Sequence, residues 1–337
     1  MDVSSTEWLI TAGVTIAVLL FDVVIVSRRP HEPSLKECAI ALSIYIGLAI
    51  AFGLWVTGFH GGTYGLEFFA GWLTEYSLSV DNLFVFLILM SALKVPRKYQ
   101  QEALLVGIIL ALIFRGIFIA IGAAAINNIS WIFYIFGAFL VYTAYSLVKS
   151  YRSHADEHPE DSAILRFARN HLNVGETWHG LKLFVKENGT RVATPMLIVI
   201  IALGSTDILF ALDSIPAIYG LTSEPYIVFT ANVFALMGLR QLYFLLGGLL
   251  KKLVYLALGL SFILAFIGVK LVLHALHENE LPFLNGGEHV PVPEISTLLS
   301  LGVIIVTLAL TAFASLAKAR RDEESSETAA AAGKDEE

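Results

Sequence analysis

Charged residues are scarce in this chain. Asp, Glu, Lys and Arg together make up 15% of its 337 residues, against about 25% in an average soluble domain. Hydrophobic residues make up 56% of the sequence, and the mean hydropathy is +0.72. This balance excludes a disordered chain, a coiled coil and an ordinary soluble enzyme. The net charge of −7 argues against a nucleic-acid partner.

Cysteine is almost absent as well. The chain has one cysteine, Cys38. A single cysteine excludes an intramolecular disulfide and a thiolate metal cluster within the chain. With soluble and disulfide-bonded classes set aside, the composition indicates a multi-pass membrane protein.

Long hydrophobic runs are abundant. A hydrocarbon core about 30 Å thick needs about 20 apolar residues in each crossing helix. Nine runs satisfy this length, so the sequence predicts an all-α membrane protein with about nine transmembrane helices. The predicted spans are residues 7–27, 38–58, 66–90, 102–125, 131–148, 195–219, 226–250, 253–274 and 296–317.

The basic residues predict the orientation of these spans. Of the 22 lysines and arginines, 19 follow odd-numbered spans, and none lies in the N-terminal segment or after an even-numbered span. Because basic loops stay in the cytoplasm, the N-terminus is expected outside and the C-terminus inside. We therefore expect one transmembrane domain (residues 1–320) with a cytoplasmic loop (149–191). The acidic, alanine-rich tail (321–337) is expected to be disordered.

Two segments of the sequence repeat each other. Residues 74–82 and 206–214 each contain a threonine, an acid, five further residues, a second acid and a small polar residue. In each case an arginine follows in the middle of the next span, Arg115 in one half and Arg240 in the other. The repeat unit is therefore three spans, residues 66–148 and 195–274. Because three is odd, the second copy must be inverted, an arrangement that recurs in transporters with a midplane site.

Six charged residues lie near the middle of their predicted spans, and their charges sum to −2 if all are ionised. They are Glu75, Asp81, Arg115, Asp207, Asp213 and Arg240. A charge at the bilayer centre costs at least about 2.5 kcal/mol, so each needs a partner or a function. A divalent cation would neutralise the sum, as would two protons. The pattern therefore predicts a cation site whose occupancy exchanges with protons.

The predicted ligands are all oxygen donors, which suit Mg²⁺, Ca²⁺ or Mn²⁺ better than Zn²⁺ or Cu²⁺. They are Glu75, Asp81, Asn82, Asp207, Asp213 and Ser214. Arg115, Arg240 and Lys270 are expected to balance their charge.

Helical geometry separates these ligands into two sets. At 100° per residue, Glu75 and Asn82 share one face of their helix, and Asp207 and Ser214 share one face of theirs. The second acids of the repeat, Asp81 and Asp213, point away from these faces unless their helices break. Pro216 provides a possible break in the sixth span.

Several alternatives stay open at this stage. The acid–arginine pairs can be purely structural polar contacts, and Lys270 can extend to the interface instead of pairing with an acid. Two further groups have metal-like spacing, although a solvated surface is the simpler interpretation of both. These groups are His154, Glu157 and His158 in the long loop, and His274, His277 and Glu278 after the eighth span.

Four motifs together resemble the TerC/Alx family of integral membrane proteins. They are Ser79-Val-Asp81-Asn82, Asp207 to Asp213-Ser214-Ile-Pro-Ala, Asn232-Val-Phe-Ala-Leu-Met-Gly-Leu-Arg240-Gln-Leu-Tyr-Phe and Phe266-Ile-Gly-Val-Lys270. The resemblance implies a protein of the bacterial cytoplasmic membrane, linked to tellurite resistance and, for Alx-like members, to manganese efflux. Some relatives are associated with metallation of exported proteins. The family's acidic motifs correspond to the six ligand positions named above.

These observations lead to one main functional expectation, an exporter of a divalent cation, most simply Mn²⁺, driven by proton antiport. Its partners are the cation, protons and the lipid bilayer, and no permanently bound cofactor or enzymatic activity is expected. The alternative is a non-transporting membrane scaffold in tellurite resistance or in metallation of exported proteins. An intramembrane aspartyl protease is disfavoured because Val-Asp81-Asn and Leu-Asp213-Ser stand where Tyr-Asp and Gly-x-Gly-Asp are required.

Overall fold

The computed structural model of the chain describes residues 1–28, 34–129, 131–153, 165–166, 172, 174–175, 177–187, 190–246, 254–278 and 284–332. Helices dominate this part, and one two-stranded hairpin interrupts them. In chain order the elements are α1 (Ser5–Arg28), α2 (Leu35–His60), α3 (Gly62–Ala92), α4 (Arg97–Asn128), α5 (Ile132–Ser153), β1 (Phe184–Glu187), β2 (Thr190–Ala193), α6 (Pro195–Tyr219), α7 (Pro225–Leu236), α8 (Leu239–Leu246), α9 (Leu256–His277) and α10 (Thr297–Ala332).

The described helices confirm the prediction of a polytopic all-α membrane protein. Eight stretches are long and apolar enough to cross a bilayer, and a shorter apolar stretch, Ser5–Val18, lies in α1. One of the eight stretches combines α7 and α8. Local sequence signals set several helix starts: Ser34 caps α2 in a capping box with Glu37, and Pro195 and Pro225 open α6 and α7, where a missing N–H is harmless.

The backbone of α10 continues to Ala332, through the first part of the tail that the sequence predicted to be disordered. Alanine and glutamate are strong helix formers, and this segment is rich in both. The last five residues, 333–337, lie outside the described part of the chain.

Helix α3 lies at the centre of the bundle and contacts α2, α6, α7, α8 and α10. We call the end of the bundle where α3 begins the Glu67 end, because Thr222 donates a hydrogen bond there to Glu67 at 2.6 Å. We call the other end the Ala92 end. At that end Tyr99 stacks on Trp178 with ring centroids 6.0 Å apart.

A reciprocal contact between α5 and α9 supports the inverted repeat. A Cβ atom built on Gly137 would lie 2.8 Å from the carbonyl oxygen of Gly268 and 2.7 Å from Val272 Cγ2. A Cβ built on Gly268 would lie 2.9 Å from the carbonyl oxygen of Gly137 and 2.9 Å from Val141 Cγ2. Each helix thus contacts the other through the same pattern of a glycine and a valine four residues later, as expected about a two-fold axis.

The break within the membrane lies in the predicted seventh span, not in the sixth. Met237 has an extended conformation (φ −62°, ψ 127°), and Gly238 has φ +85°, so α7 and α8 are separate helices. By contrast α6 is continuous through Pro216, which lies close to its end at Tyr219. Breaks of this kind leave backbone groups without intrahelical partners, and in transporters they mark the region of the binding site.

Candidate ion-binding site

The candidate site is centred on Arg115, which α4 places in the interior with no exposed surface. Its guanidinium forms an ion pair with Glu75 on α3, and its Nη2 lies 3.4 Å from Asp207 Oδ1 on α6. Its Nη1 also donates to Asn232 Oδ1 on α7 at 3.1 Å. Side chains from four helices and from both halves of the repeat therefore meet at one arginine.

Neighbouring hydrogen bonds orient these groups. The hydroxyl of Ser79, one turn along α3, donates to Glu75 Oε1 at 3.3 Å. The amide nitrogen of Asn232 donates to the Val228 carbonyl oxygen at 2.9 Å. Because this bond uses the amide nitrogen, the amide oxygen of Asn232 remains to accept from Arg115.

Three buried oxygens at this site lack a hydrogen-bond partner among the described residues. They are Glu75 Oε2, Asp207 Oδ2 and Ser214 Oγ. Leaving such a group unsatisfied costs about 1–3 kcal/mol, and more for a charged group. With both acids ionised and Arg115 protonated, the local charge is −1. The site therefore offers oxygen donors and a negative charge to a cation.

The packing of α3 against α6 fixes the relative direction of these two helices. Gly71 on α3 contacts Ile218 on α6, since a Cβ on Gly71 would lie 3.3 Å from Ile218 Cγ2. Further along the two helices, the ring centroids of Phe86 and Phe210 lie 6.3 Å apart. The helices are thus antiparallel.

Glu75 lies four residues after Gly71 on α3, and Ser214 lies four residues before Ile218 on α6. Seven residues further from the contact are Asn82 on α3 and Asp207 on α6. All four side chains are buried. The carboxylate and the small polar residue therefore follow in opposite order from this contact on the two helices, as expected for an inverted repeat.

The second acids of the repeat do not join this group in the described structure. Asp213 is half-buried and accepts a hydrogen bond from Thr143 on α5 at 3.1 Å, as the helical geometry predicted for a continuous α6. Asp81 lies on α3, and its side chain lies outside what the structure describes. Among the described residues no three His, Cys, Asp or Glu side chains converge as metal donors.

Two further predicted residues, Arg240 and Lys270, lie on α8 and α9. Arg240 is buried at the start of α8, just after the helix break. Lys270 on α9 is half-buried, and the charges of Glu67 and Glu294 act on it at the Glu67 end.

The histidine groups differ in what the structure shows of them. His274 packs edge-on against Phe133 with ring centroids 5.1 Å apart, and His277 Nε2 lies 3.7 Å from Glu294 Oε1. Glu278 is exposed. His154, Glu157 and His158 lie outside the described residues.

Sequence reasoning missed two features of the site. Asn232 belongs to one of the motifs but was not predicted as a site residue. An amide side chain within an apolar span, eight residues before Arg240, could have indicated its role. The break before Arg240 was not predicted, although Gly238 is the residue type that a positive φ requires.

Apolar side chains pack on both sides of the site among the described residues. Towards the Glu67 end, the small residues Gly71 and Ala231 pack with Ile218 within one turn of Glu75. Towards the Ala92 end, a larger cluster of buried side chains that includes Leu83, Phe86 and Leu203 fills the space between α3 and α6. The packing towards the Glu67 end thus includes two small residues, whereas the packing towards the Ala92 end consists of larger side chains.

Comparison with known proteins places the chain in a family of membrane proteins. It is 47% identical over 322 residues to an uncharacterised membrane protein of Mycobacterium tuberculosis, covering 95% of this chain and 81% of the relative. A Myxococcus xanthus membrane protein, also uncharacterised, is 41% identical over 258 residues, covering 77% and 80% of the two chains.

The Escherichia coli protein Alx, described as a proposed membrane-bound redox modulator, is 35% identical over 312 residues and covers 89% and 92% of the two chains. No solved structure matches this chain. The family model described as "Integral membrane protein TerC family" matches residues 60–323. This chain therefore belongs to the TerC family of integral membrane proteins.

Proposed function

We propose that this protein transports a hard divalent cation, most simply Mn²⁺, across the bacterial cytoplasmic membrane in exchange for protons. One observation carries the proposal. Two buried carboxylates, Glu75 from one half of the repeat and Asp207 from the other, share the single guanidinium of Arg115, and each keeps an oxygen without a donor.

The charge at this site explains why a cation and protons would compete. A bound proton brings the local charge from −1 to 0, whereas a divalent cation brings it to +1. Both would use the unsatisfied oxygens of Glu75 and Asp207, and the amide of Asn82 and the hydroxyl of Ser214 would serve as neutral ligands. Oxygen donors of this kind suit Mg²⁺, Ca²⁺ and Mn²⁺ alike.

The choice of Mn²⁺ and the export direction rest on the resemblance to Alx-like proteins. The orientation rests on the alternation of basic loops, which assigns the Ala92 end to the cytoplasm and the Glu67 end to the outside. In this orientation the N-terminus lies outside, and α10 ends in the cytoplasm. The description of Alx as a redox modulator fits less readily, because a dithiol switch needs two cysteines and this chain has Cys38 alone.

Flux into proteoliposomes tests the proposal. Wild-type protein is compared with Glu75→Gln and Asp207→Asn, with and without a pH gradient, and with Mn²⁺, Mg²⁺ and Ca²⁺ in separate assays. Glu294→Gln serves as the matched control, because it removes a carboxylate whose side chain is 58% exposed outside the site. We expect gradient-dependent Mn²⁺ flux in wild type and control, and a loss of at least about tenfold in both site variants.

Two additional variants, Asp81→Asn and Asp213→Asn, test the sequence-based ligand assignment in the same assay. If both transport normally, the second acids of the repeat are not required. An absence of flux from folded wild-type protein with all three cations would contradict the transport proposal and favour the membrane scaffold.

A further inference from the structure

The hairpin β1–β2 immediately precedes α6 at the Ala92 end. Its strands pair antiparallel, with Phe184 opposite Ala193 and Lys186 opposite Arg191. Cross-strand partners lie on the same face of a sheet, so Phe184, Lys186 and Arg191 share one face. The Val185–Val192 pair belongs to the other face, and Val192 is buried.

Apart from the buried Ala193, the side chains of the shared face are exposed, and they combine apolar with basic groups. Phe184 is 42% exposed, and Lys186 and Arg191 are also exposed. The guanidinium carbon of Arg191 lies 4.7 Å from the centroid of the Phe184 ring. The residues just before β1 extend the same composition, since Leu181 is 45% exposed and Lys182 is exposed.

The pairing of Lys186 with Arg191 places two cations directly opposite each other. Like charges at such positions destabilise a hairpin unless an anion lies between them. Among the described residues neither side chain forms an ion pair. The register of the hairpin therefore leaves a site for an anion at its exposed face.

The distance to the bilayer identifies the source of that anion. Helix α6 has 25 residues, which span about 37 Å at 1.5 Å per residue. This exceeds the hydrocarbon core of about 30 Å, so Pro195 lies within the headgroup region. Arg191 precedes Pro195 by four residues, or at most about 13 Å of extended chain. Its side chain is therefore within reach of lipid phosphates.

We infer that this exposed hairpin surface, formed by Leu181, Lys182, Phe184, Lys186 and Arg191, docks on anionic lipid headgroups of the cytoplasmic leaflet. A lipid phosphate lies between the two opposed cations. Leu181 and the Phe184 ring enter the interface, where apolar and aromatic side chains are favoured. Basic residues close to an anionic leaflet are attracted to it within a Debye length. This surface is separate from the ion site and does not depend on transport.

A fluorescent probe on the hairpin tests the inference in the full-length protein. Cys38 is replaced by alanine, and Leu181→Cys carries an NBD (nitrobenzoxadiazole) label. The protein is placed in nanodiscs of phosphatidylcholine alone, or with 30% phosphatidylglycerol. We expect emission at shorter wavelengths, and stronger quenching by lipid-borne nitroxide, in the anionic discs. Both effects should weaken at 0.5 M salt.

Charge variants distinguish the hairpin from general surface charge. Lys186→Gln combined with Arg191→Gln should lower the ratio of docked to undocked hairpin by about fivefold for each charge removed. The matched control, Arg320→Gln with Arg321→Gln, removes two exposed charges in the second half of α10 and should retain docking. Size-exclusion profiles verify that each variant is folded.

Three results would overturn the inference. Equal emission in both disc compositions would show that the hairpin does not sense anionic lipid. Equal losses in the two double variants would show that the hairpin has no particular role. A wavelength shift that follows the number of protein copies per disc, and not the lipid, would assign the surface to a second copy of the chain.

Discussion

Arg115 and Asp207 belong to different halves of the inverted repeat, yet Nη2 of the arginine lies 3.4 Å from Oδ1 of the aspartate deep within the bundle. The same guanidinium pairs with Glu75, the counterpart of Asp207 in the first half. One cation therefore serves two symmetry-related anions. Arg240, the counterpart of Arg115 in the second half, is buried beside the helix break.

Removing Arg115 should destabilise the protein more than removing an acid. Arg115→Gln leaves two buried carboxylates without a counter-ion, and breaking a buried pair typically costs about 3–5 kcal/mol. Thermal unfolding of the detergent-purified protein measures the effect. The double variant Arg115→Gln with Glu75→Gln should recover part of the loss, because it removes one of the two uncompensated charges. Additive losses in the double variant would contradict the ion-pair assignment.

Local patterns in the sequence predicted much of this arrangement. Hydropathy located the nine spans, and the repeated acids located the two helices, α3 and α6, that meet at the centre. The helical angle of 100° per residue also predicted that Asp213 faces away from Asp207 when the helix is continuous. These inferences succeed because each depends on residues within a single helix.

Contacts between distant helices could not be predicted in the same way. That Asn232 accepts from Arg115, 117 positions away, depends on how α4 and α7 pack. The break at Gly238 depends on the space left by Leu42 and Tyr45 on α2. The hairpin before α6 was missed because it is only four residues long in each strand and lies in a polar loop.

The two aspartates of α6 should differ in their effect on cation binding. Asp207 carries an unsatisfied oxygen at the arginine, whereas Asp213 accepts from Thr143 and lies six residues away, on another face. Asp207→Asn should weaken Mn²⁺ binding to the purified protein by at least about tenfold, or 1.4 kcal/mol. Asp213→Asn should change it by about twofold or less. Titration calorimetry measures both, and equal losses would mean that both carboxylates bind the ion.

The crossing of α5 and α9 should not tolerate a larger residue at its centre. In Gly137→Ala the new methyl group would lie 2.8 Å from a backbone oxygen of α9, so the helices must separate. Overpacking of this kind costs about 1–3 kcal/mol. Gly302→Ala on α10 is the matched control, since nothing lies within 4 Å of its Cβ. A lower unfolding temperature is expected for the first variant alone. Equal temperatures would place the crossing elsewhere.

The break between α7 and α8 should depend on glycine at position 238. An L-residue at φ +85° is strained by about 1–2 kcal/mol, and a Cβ there would lie 3.0 Å from Leu42 Cδ1 and 3.2 Å from Tyr45 Cδ2. Gly238→Ala should therefore lower the unfolding temperature. Gly116→Ala provides the comparison in α4, which is continuous, because its Cβ meets nothing within 4 Å. Alanine is the better helix former, so this control should unfold at the same temperature or slightly higher. An unchanged unfolding temperature in Gly238→Ala would contradict the break. It would mean that α7 and α8 can join into one continuous helix without cost, so that Arg240 no longer follows a break.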